Sequence, residues 1–385
     1  VRQDKDNLKI HVWCPGVDPR AGGIENYSSV LIRALNELFG PGAISILVKN
    51  EASADVRARF PSNRLAQGTG GVPLKARTAA FSATLVRHGV IDRPPLIIST
   101  HLNFSPLAKG LKRIFRSKYC LSLHGIEAWS LNNARRVAGL RGADQLLAVS
   151  RFTRDTVATA QRLPAGQFSI LPNTVDETKF SIGPKPQYLL ERHAIAPDQR
   201  VILTVGRLAA SEQYKGQDRI IRSLGHLRRD IPDVRYLIVG DGDDRARLEE
   251  CARREGVSDL VIFAGRIGEN ELPDYYRLCD LFALPSTGEG FGIVFLEALA
   301  CGRPALGGAQ DGSRDPLADG ELGVLVDPED IGSLSQTILT ILLKTHSHPL
   351  LNDPEALRAG MLGRFGFEQF KARVQQIVSP LAALL

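Results

Sequence analysis

Nowhere in its 385 residues does the chain have the run of roughly 18–20 apolar residues that a bilayer-spanning helix requires, so any membrane contact is expected to be peripheral. The start, VRQDKDNLK, lacks the apolar core of a signal peptide. Cysteine is scarce: Cys14, Cys120, Cys251, Cys279 and Cys301 form an odd, scattered set with no CxxC pair and no metal-ligand spacing. That pattern argues against a disulfide framework and a zinc site, and a reduced, cytoplasmic location is expected. Walker A, GxSxG and HExxH motifs are missing, which leaves P-loop, α/β-hydrolase and zincin chemistry without support. Gly240-Asp241-Gly242-Asp243-Asp244 superficially matches a dinucleotide fingerprint but has no third glycine and sits in mid-domain.

What remains is a two-domain composition: 385 residues, 43% of them hydrophobic, with mixed charge. The charge is unevenly placed. Residues 1–182 hold 25 Lys and Arg against 13 Asp and Glu, whereas 183–385 hold 23 against 29. The basic half is expected to meet something anionic, a membrane surface or a lipid-linked molecule rather than a nucleic acid.

Strands and helices alternate along the chain, the pattern of doubly wound α/β domains. Leu8–Cys14 is an apolar run with the character of a buried parallel strand. A loop with Gly22 and Gly23 follows, then an amphipathic helix over Ile24–Leu38. A strand near Ala43–Val48, a polar loop over Glu51–Pro73, a helix at Leu74–His88 and a strand at Pro95–Thr100 come next. Residues 104–118, FSPLAKGLKRIFRSK, combine an apolar stripe with Lys109, Lys112, Arg113, Arg116 and Lys118, the composition of a helix that lies on an anionic membrane, or of an ordinary surface helix. The strand Tyr119–His124 delivers His124 to its C-terminal mouth. After Leu146–Val149, Ser150 is placed to cap a helix over Arg151–Gln161. Residues 183–200, with three prolines, read as an interdomain connection. A second alternation starts at Val201–Val205 and runs to a helix at Ile331–Leu343. The expected domains are therefore 1–182 and 183–366, with a final helix from 367 to 385.

The second domain is organised around Ser286–Gly302, STGEGFGIVFLEALACG. Glu289 lies in a glycine-rich turn after a buried strand, and Glu297 falls eight residues later on a mostly apolar helix. Open α/β sheets bind ligands at such C-terminal strand edges, and the amides that open a helix suit a phosphate. On one continuous helix the two carboxylates would stand about 12 Å apart, too far to share a metal but suited to the two ends of an elongated ligand. Taken singly, Arg207 and Lys215 read as solvated charges and His124 as a structural histidine; Asp311 reads equally as a sugar ligand or a turn former.

Together with Gly22, Gly23 and His124, the segments GRLAASEQYKGQD, IVGDGDDRARLE, FAGRI and STGEGFGIVFLEALACGRPALGG stand in the order of a known family. The chain resembles the retaining glycosyltransferases of family four, of bacterial exopolysaccharide and lipid-linked-sugar type. The resemblance implies the GT-B architecture, two Rossmann-like domains facing a central cleft. It implies that Arg207 and Lys215 embrace a donor diphosphate. Amides of Phe291, Gly292 and Ile293 would bind sugar hydroxyls or phosphate, Glu289 the donor hexose, Glu297 the ribose, and Arg266 with Ile267 would border the base. Gly22 and Gly23 would leave room for donor and acceptor, and His124 would support the transferred sugar. No metal and no cofactor beyond a nucleotide-sugar co-substrate is implied. The sequence departs from the common pattern in the longer insert AASEQY between Arg207 and Lys215, in Thr174, and in the loop 308–313.

The resulting expectation is a retaining hexosyltransferase using a GDP- or UDP-linked sugar and a glycan or polyprenol-linked acceptor at the cytoplasmic membrane face. A sucrose- or trehalose-synthase-like enzyme with a soluble acceptor is the first alternative, a nucleotide-sugar epimerase the next. A noncatalytic nucleotide-sugar-binding subunit is the alternative of a different class.

Overall fold

The computed structural model describes residues 8–19 and 22–383; the first seven residues of VRQDKDNLK and the last two of the expected final helix lie outside them. The described residues form two compact units. One comprises those up to Thr174 together with those from Glu368 onward, the other Val175–Phe367.

The first unit is built on seven parallel strands: β1 (Ile10–Cys14), β2 (Ile44–Val48), β3 (Leu65–Gly68), β4 (Leu96–Ser99), β5 (Lys118–Leu123), β6 (Gln145–Ala148) and β7 (Phe168–Ile170). Their order across the sheet is β3-β2-β1-β4-β5-β6-β7. The central strands are apolar along almost their whole length because helices cover both faces, and every residue of β1, β2 and β4 is buried. Trp13, Leu47, Phe81, Ile97 and Leu121 share one core cluster.

The second unit repeats the plan with six strands: β8 (Val201–Val205), β9 (Arg235–Val239), β10 (Val261–Gly265), β11 (Leu281–Leu284), β12 (Ala305–Gly308) and β13 (Val324–Val326), in the order β10-β9-β8-β11-β12-β13. Its pairings are all parallel. In both sheets the chain winds outward one way and then resumes from the middle the other way. The reversal lies between β1 and β4 in the first and between β8 and β11 in the second. Loops leaving those two strands at their C-terminal ends diverge to opposite sides and leave a crevice there.

Three expectations are corrected. The polar stretch Glu51–Pro73 is not a plain loop: it holds a short helix, Ser53–Arg59, and the edge strand β3. Val56 is the one buried residue of that helix, too little to print a periodicity, and β3 is only partly buried. The connection 183–200 contains a helix, Gln187–Arg192, that buries Leu189 and Leu190, while Lys185 pairs with Asp280 at 2.8 Å. It is a packed part of the second unit. The units divide after Thr174, earlier than 182, because Arg358 donates to the carbonyls of Glu177 and Phe180 and Lys179 pairs with Glu269, which ties 177–180 to the second unit.

Candidate active site

In the second unit the crevice between β8 and β11 collects most of the expected residues. Arg207 lies two residues past β8, with an exposed side chain, and Lys215 closes the 3-10 segment Ala210–Lys215 that precedes the helix Gln217–Leu227. Lys215 folds back toward the strand end: a Cβ built at Gly206 would be 3.4 Å from its Nζ. Between the two cations stands Glu212, from the insert AASEQY. One of its oxygens pairs with the Arg207 guanidinium and the other lies 2.6 Å from Lys215 Nζ.

Across the crevice, β11 ends at Leu284 and the chain turns through 285–292 into the helix Ile293–Ala300. Gly292 caps that helix at φ 82°, in the left-handed region, and a Cβ there would meet the Phe295 ring at 2.7 Å and Glu289 Cγ at 3.2 Å. Glycine is demanded on both counts. Phe291 beside it is buried, edge-on to Phe365. In the helix's first turn the Phe295 N–H already donates to the Gly292 carbonyl at 3.1 Å, while the amides of Ile293 and Val294 precede the first bond a helix can make internally. Only Glu297 rides on this helix, since Glu289 precedes its start, so the spacing estimate for one continuous helix does not apply.

The Glu289 turn is held by Asp311, which is buried. One Asp311 oxygen accepts from the Glu289 backbone N–H at 2.7 Å and from Ser286 Oγ at 2.6 Å; the other accepts from the Ser313 N–H at 2.9 Å. The Gly312 N–H in turn donates to the Glu289 carbonyl at 2.9 Å. Asp311 therefore holds the turn that carries Glu289. Burial pushes the Glu289 carboxyl up to about 7; nearby Lys215 opposes that shift, and Asp311 and Glu212 reinforce it. Glu297 is also pushed to about 7 by burial, although Tyr276 donates its hydroxyl to one carboxylate oxygen at 2.6 Å. Arg266 and Ile267 follow β10, an edge strand of the same sheet, with Arg266 exposed.

The remaining expected residues lie on the first unit. Gly22 caps the helix Gly23–Phe39 in an extended conformation and Gly23 opens it; a Cβ on Gly22 would touch the Glu25 carboxylate at 3.0 Å, and one on Gly23 would meet nothing. His124 sits immediately past β5. Its Nε2 is 2.9 Å from the Thr100 carbonyl, its backbone N–H donates to Glu127 at 2.6 Å, and the Tyr27 ring stands edge-on at 4.8 Å. The Thr100 contact fixes the tautomer with a proton on Nε2.

Sequence reasoning missed Glu212, Tyr276 and the clamping role of Asp311. Glu212 lay in plain view inside the insert, but spacing alone does not say which way a carboxylate turns. Among the described residues no group of three or more His, Cys, Asp and Glu could hold a metal ion.

The chain is similar to known proteins along most of its length. The model "Glycosyltransferase Family 4" matches residues 21–179, and "Glycosyl transferases group 1" matches 189–354. A GDP-mannose-dependent alpha-(1-6)-phosphatidylinositol monomannoside mannosyltransferase of Mycolicibacterium smegmatis is 34% identical over 90% of this chain and 90% of its own. A D-inositol 3-phosphate glycosyltransferase of Geodermatophilus obscurus is 26% identical over 86% of this chain and 77% of its own. Among solved structures, HepE of Anabaena in complex with UDP-glucose superposes with a TM-score of 0.77 at 20% identity, covering 97% of this chain and 100% of its own. A sucrose-phosphate synthase of Thermosynechococcus elongatus gives 0.78 at 21% identity, covering 98% and 100%. The chain thus belongs to the family four, or group 1, glycosyltransferases and has their GT-B fold.

Proposed function

We propose that the protein is a retaining hexosyltransferase that takes its sugar from a nucleoside-diphosphate donor, GDP- or UDP-linked, and passes it to a lipid-linked glycan acceptor. The observation that carries this reading is the convergence of Arg207, Lys215 and the Glu289 turn on the one crevice between β8 and β11. A diphosphate beside the two cations would place its sugar toward Glu289 and its nucleoside toward Glu297, with Arg266 and Ile267 bordering the base. Amides of Phe291, Gly292 and Ile293 would meet oxygen atoms in the middle.

In the reaction, the bond between the anomeric carbon and the diphosphate oxygen breaks while the acceptor hydroxyl approaches on the same face. The acceptor oxygen bonds to the anomeric carbon, and its proton passes to the leaving phosphate. Negative charge grows on that phosphate, where Arg207 and Lys215 stabilise it more strongly than in the ground state. Glu289 would accept hydrogen bonds from the hexose hydroxyls, holding the ring as it flattens. Gly22, Gly23 and His124 are assigned to acceptor and transferred sugar on the family resemblance. With positive charge supplied by side chains, turnover should survive a chelator such as EDTA.

For the acceptor, support comes from the M. smegmatis relative, whose named substrate is a phosphatidylinositol monomannoside, and from the surface of the first unit. Two of its helices, Leu74–Asp92 and Ser105–Phe115, cross where Gly89 meets Leu111. They expose Leu74, Val86, Val90, Ile91 and Ile114 among exposed Lys75, Arg87, Arg93, Lys109 and Arg113. Apolar and basic side chains exposed on the same two helices suit an anionic lipid surface at the cytoplasmic membrane face. The second reading, a soluble acceptor, is favoured by the likeness to a 2-deoxystreptamine glucosyltransferase of Streptomyces kanamyceticus, 24% identical over 95% of this chain.

Calorimetric titration with GDP-mannose, UDP-glucose and their relatives, followed by NMR of the product's anomeric configuration, tests the proposal. Slow donor hydrolysis without acceptor, abolished in Glu289→Ala, is the expected result. Tight donor binding with no turnover under any acceptor would favour a binding subunit instead, and an inverted product would end the retaining mechanism.

A further inference from the structure

The two cations assigned to the diphosphate already have a carboxylate between them. Glu212 divides its oxygens between the Arg207 guanidinium and Lys215 Nζ, and both Glu212 and Lys215 are largely buried while Arg207 is open to solvent. The carboxylate is held there by its segment. The Ala210 N–H donates to Asp243 at 2.7 Å, Gln213 reaches Asp244 at 2.9 Å, and the Tyr214 carbonyl accepts from the Thr287 N–H at 2.9 Å. Gly216, at φ 79°, lets the chain pass the Pro285 carbonyl, which a Cβ would approach to 2.3 Å. The segment 209–216 is thus pinned at one end to the loop after β9 and at the other to the Glu289 turn.

We propose that Glu212 is a built-in competitor for the diphosphate, a carboxylate that sets how tightly the subsite holds its anionic ligand and so speeds the departure of the nucleoside diphosphate product. This rests on reading Arg207 and Lys215 as the diphosphate ligands. The cluster of Arg207, Lys215 and Glu212 carries one net positive charge where the two cations alone would carry two. An anion entering must share or replace the hydrogen bonds that Glu212 holds, and it meets the repulsion of Glu212. The free nucleoside diphosphate carries more negative charge than the nucleotide sugar. Its binding therefore depends more steeply on the net charge of the cluster, and Glu212 weakens the product more than the donor. Where product release limits turnover, such a bias raises kcat.

The test is calorimetric titration of UDP and GDP into the full chain, wild type against Glu212→Gln, which keeps size and shape, and Glu212→Ala, with uridine and guanosine as controls. Whichever diphosphate binds the wild type should bind both variants about tenfold more tightly, with the matching nucleoside unchanged. The steady-state rate should show lower kcat together with lower donor KM. Unchanged or weaker diphosphate binding in folded variants would overturn the role of Glu212 and leave the site reading intact. Failure of both diphosphates to bind the wild type would overturn the site reading and this inference with it.

Discussion

Glu289 and Glu297 are carboxyls kept in surroundings that favour the proton, and that has a measurable cost. Burial lifts both to about 7, so the folded chain binds these two protons more tightly than the unfolded chain does. Their contribution to stability is therefore most favourable at acid pH, falls as pH rises from the ordinary carboxyl range to about 7, and levels off above it. Glu297→Gln should remove one such penalty, on the order of 1–3 kcal/mol. Thermal unfolding should then show the variant several degrees more stable than wild type at pH 8 and no more stable at pH 5. Equal differences at both pH values would mean that the carboxyl titrates normally in the fold. Glu289→Gln should show the same stability pattern but lose most turnover, since the amide both accepts and donates where the carboxylate is proposed to accept only.

The turn 285–292 owes its shape to a neighbour in space rather than in sequence. Asp311→Ala would strip the hydrogen bonds from the Glu289 N–H, Ser286 and the Ser313 N–H at once, leaving buried donors unsatisfied at a cost of about 2–4 kcal/mol. The expected outcome is faster amide exchange across 286–292 and a kcat reduced on the order of 10–100-fold, as a misplaced carboxylate would give. Loss of stability with kcat intact would show that the clamp only supports the fold. At Ser150, whose side chain accepts from the Thr153 N–H at 2.9 Å, Ser150→Ala should cost about 1 kcal/mol in denaturant unfolding and leave activity alone. That cap was legible from the sequence, as were the helix Ile293–Ala300 and the central strands, because a cap, an apolar run after a glycine-rich turn and a doubly covered strand each leave a local imprint. β3 and the helix Gln187–Arg192 left none, their few buried positions making no period. That Glu289 falls in a turn and Glu297 on the helix after it was equally readable, but the spacing drawn for one continuous helix was not, because Glu289 precedes the helix start. The grip of Asp311 on the Glu289 turn was not, since which atoms two loops exchange depends on how the sheet brings β11 and β12 side by side.

The uneven charge of the chain has a surface counterpart in the exposed basic side chains of the helices Leu74–Asp92 and Ser105–Phe115. Lys112 contributes little to it, because its Nζ is spent on Asp144 at 2.7 Å and on the Gly142 carbonyl. Flotation with vesicles containing an anionic phospholipid should therefore weaken markedly in Lys109→Ser/Arg113→Ser and in Ile114→Ser, and in high salt. Binding indifferent to lipid charge or to these changes would sink the membrane assignment and favour a soluble acceptor. No described helix is long and apolar enough to cross a bilayer. The first unit has one further property, set by the helix Phe367–Ala383. Phe370 of that helix packs edge-on against Tyr27, the ring that also braces His124, and Val374 and Val378 are buried. During synthesis the ribosome must make the whole of Val175–Phe367 before the residues that finish this core exist. A product cut short by a frameshift or premature stop after 367 would hold a complete second unit and a first unit with bare apolar surface where Phe370, Val374 and Val378 belong. On the proposed assignment of the donor site to Val175–Phe367, such a fragment would still bind nucleotide sugar while failing to transfer it, and its exposed core would mark it for proteolysis.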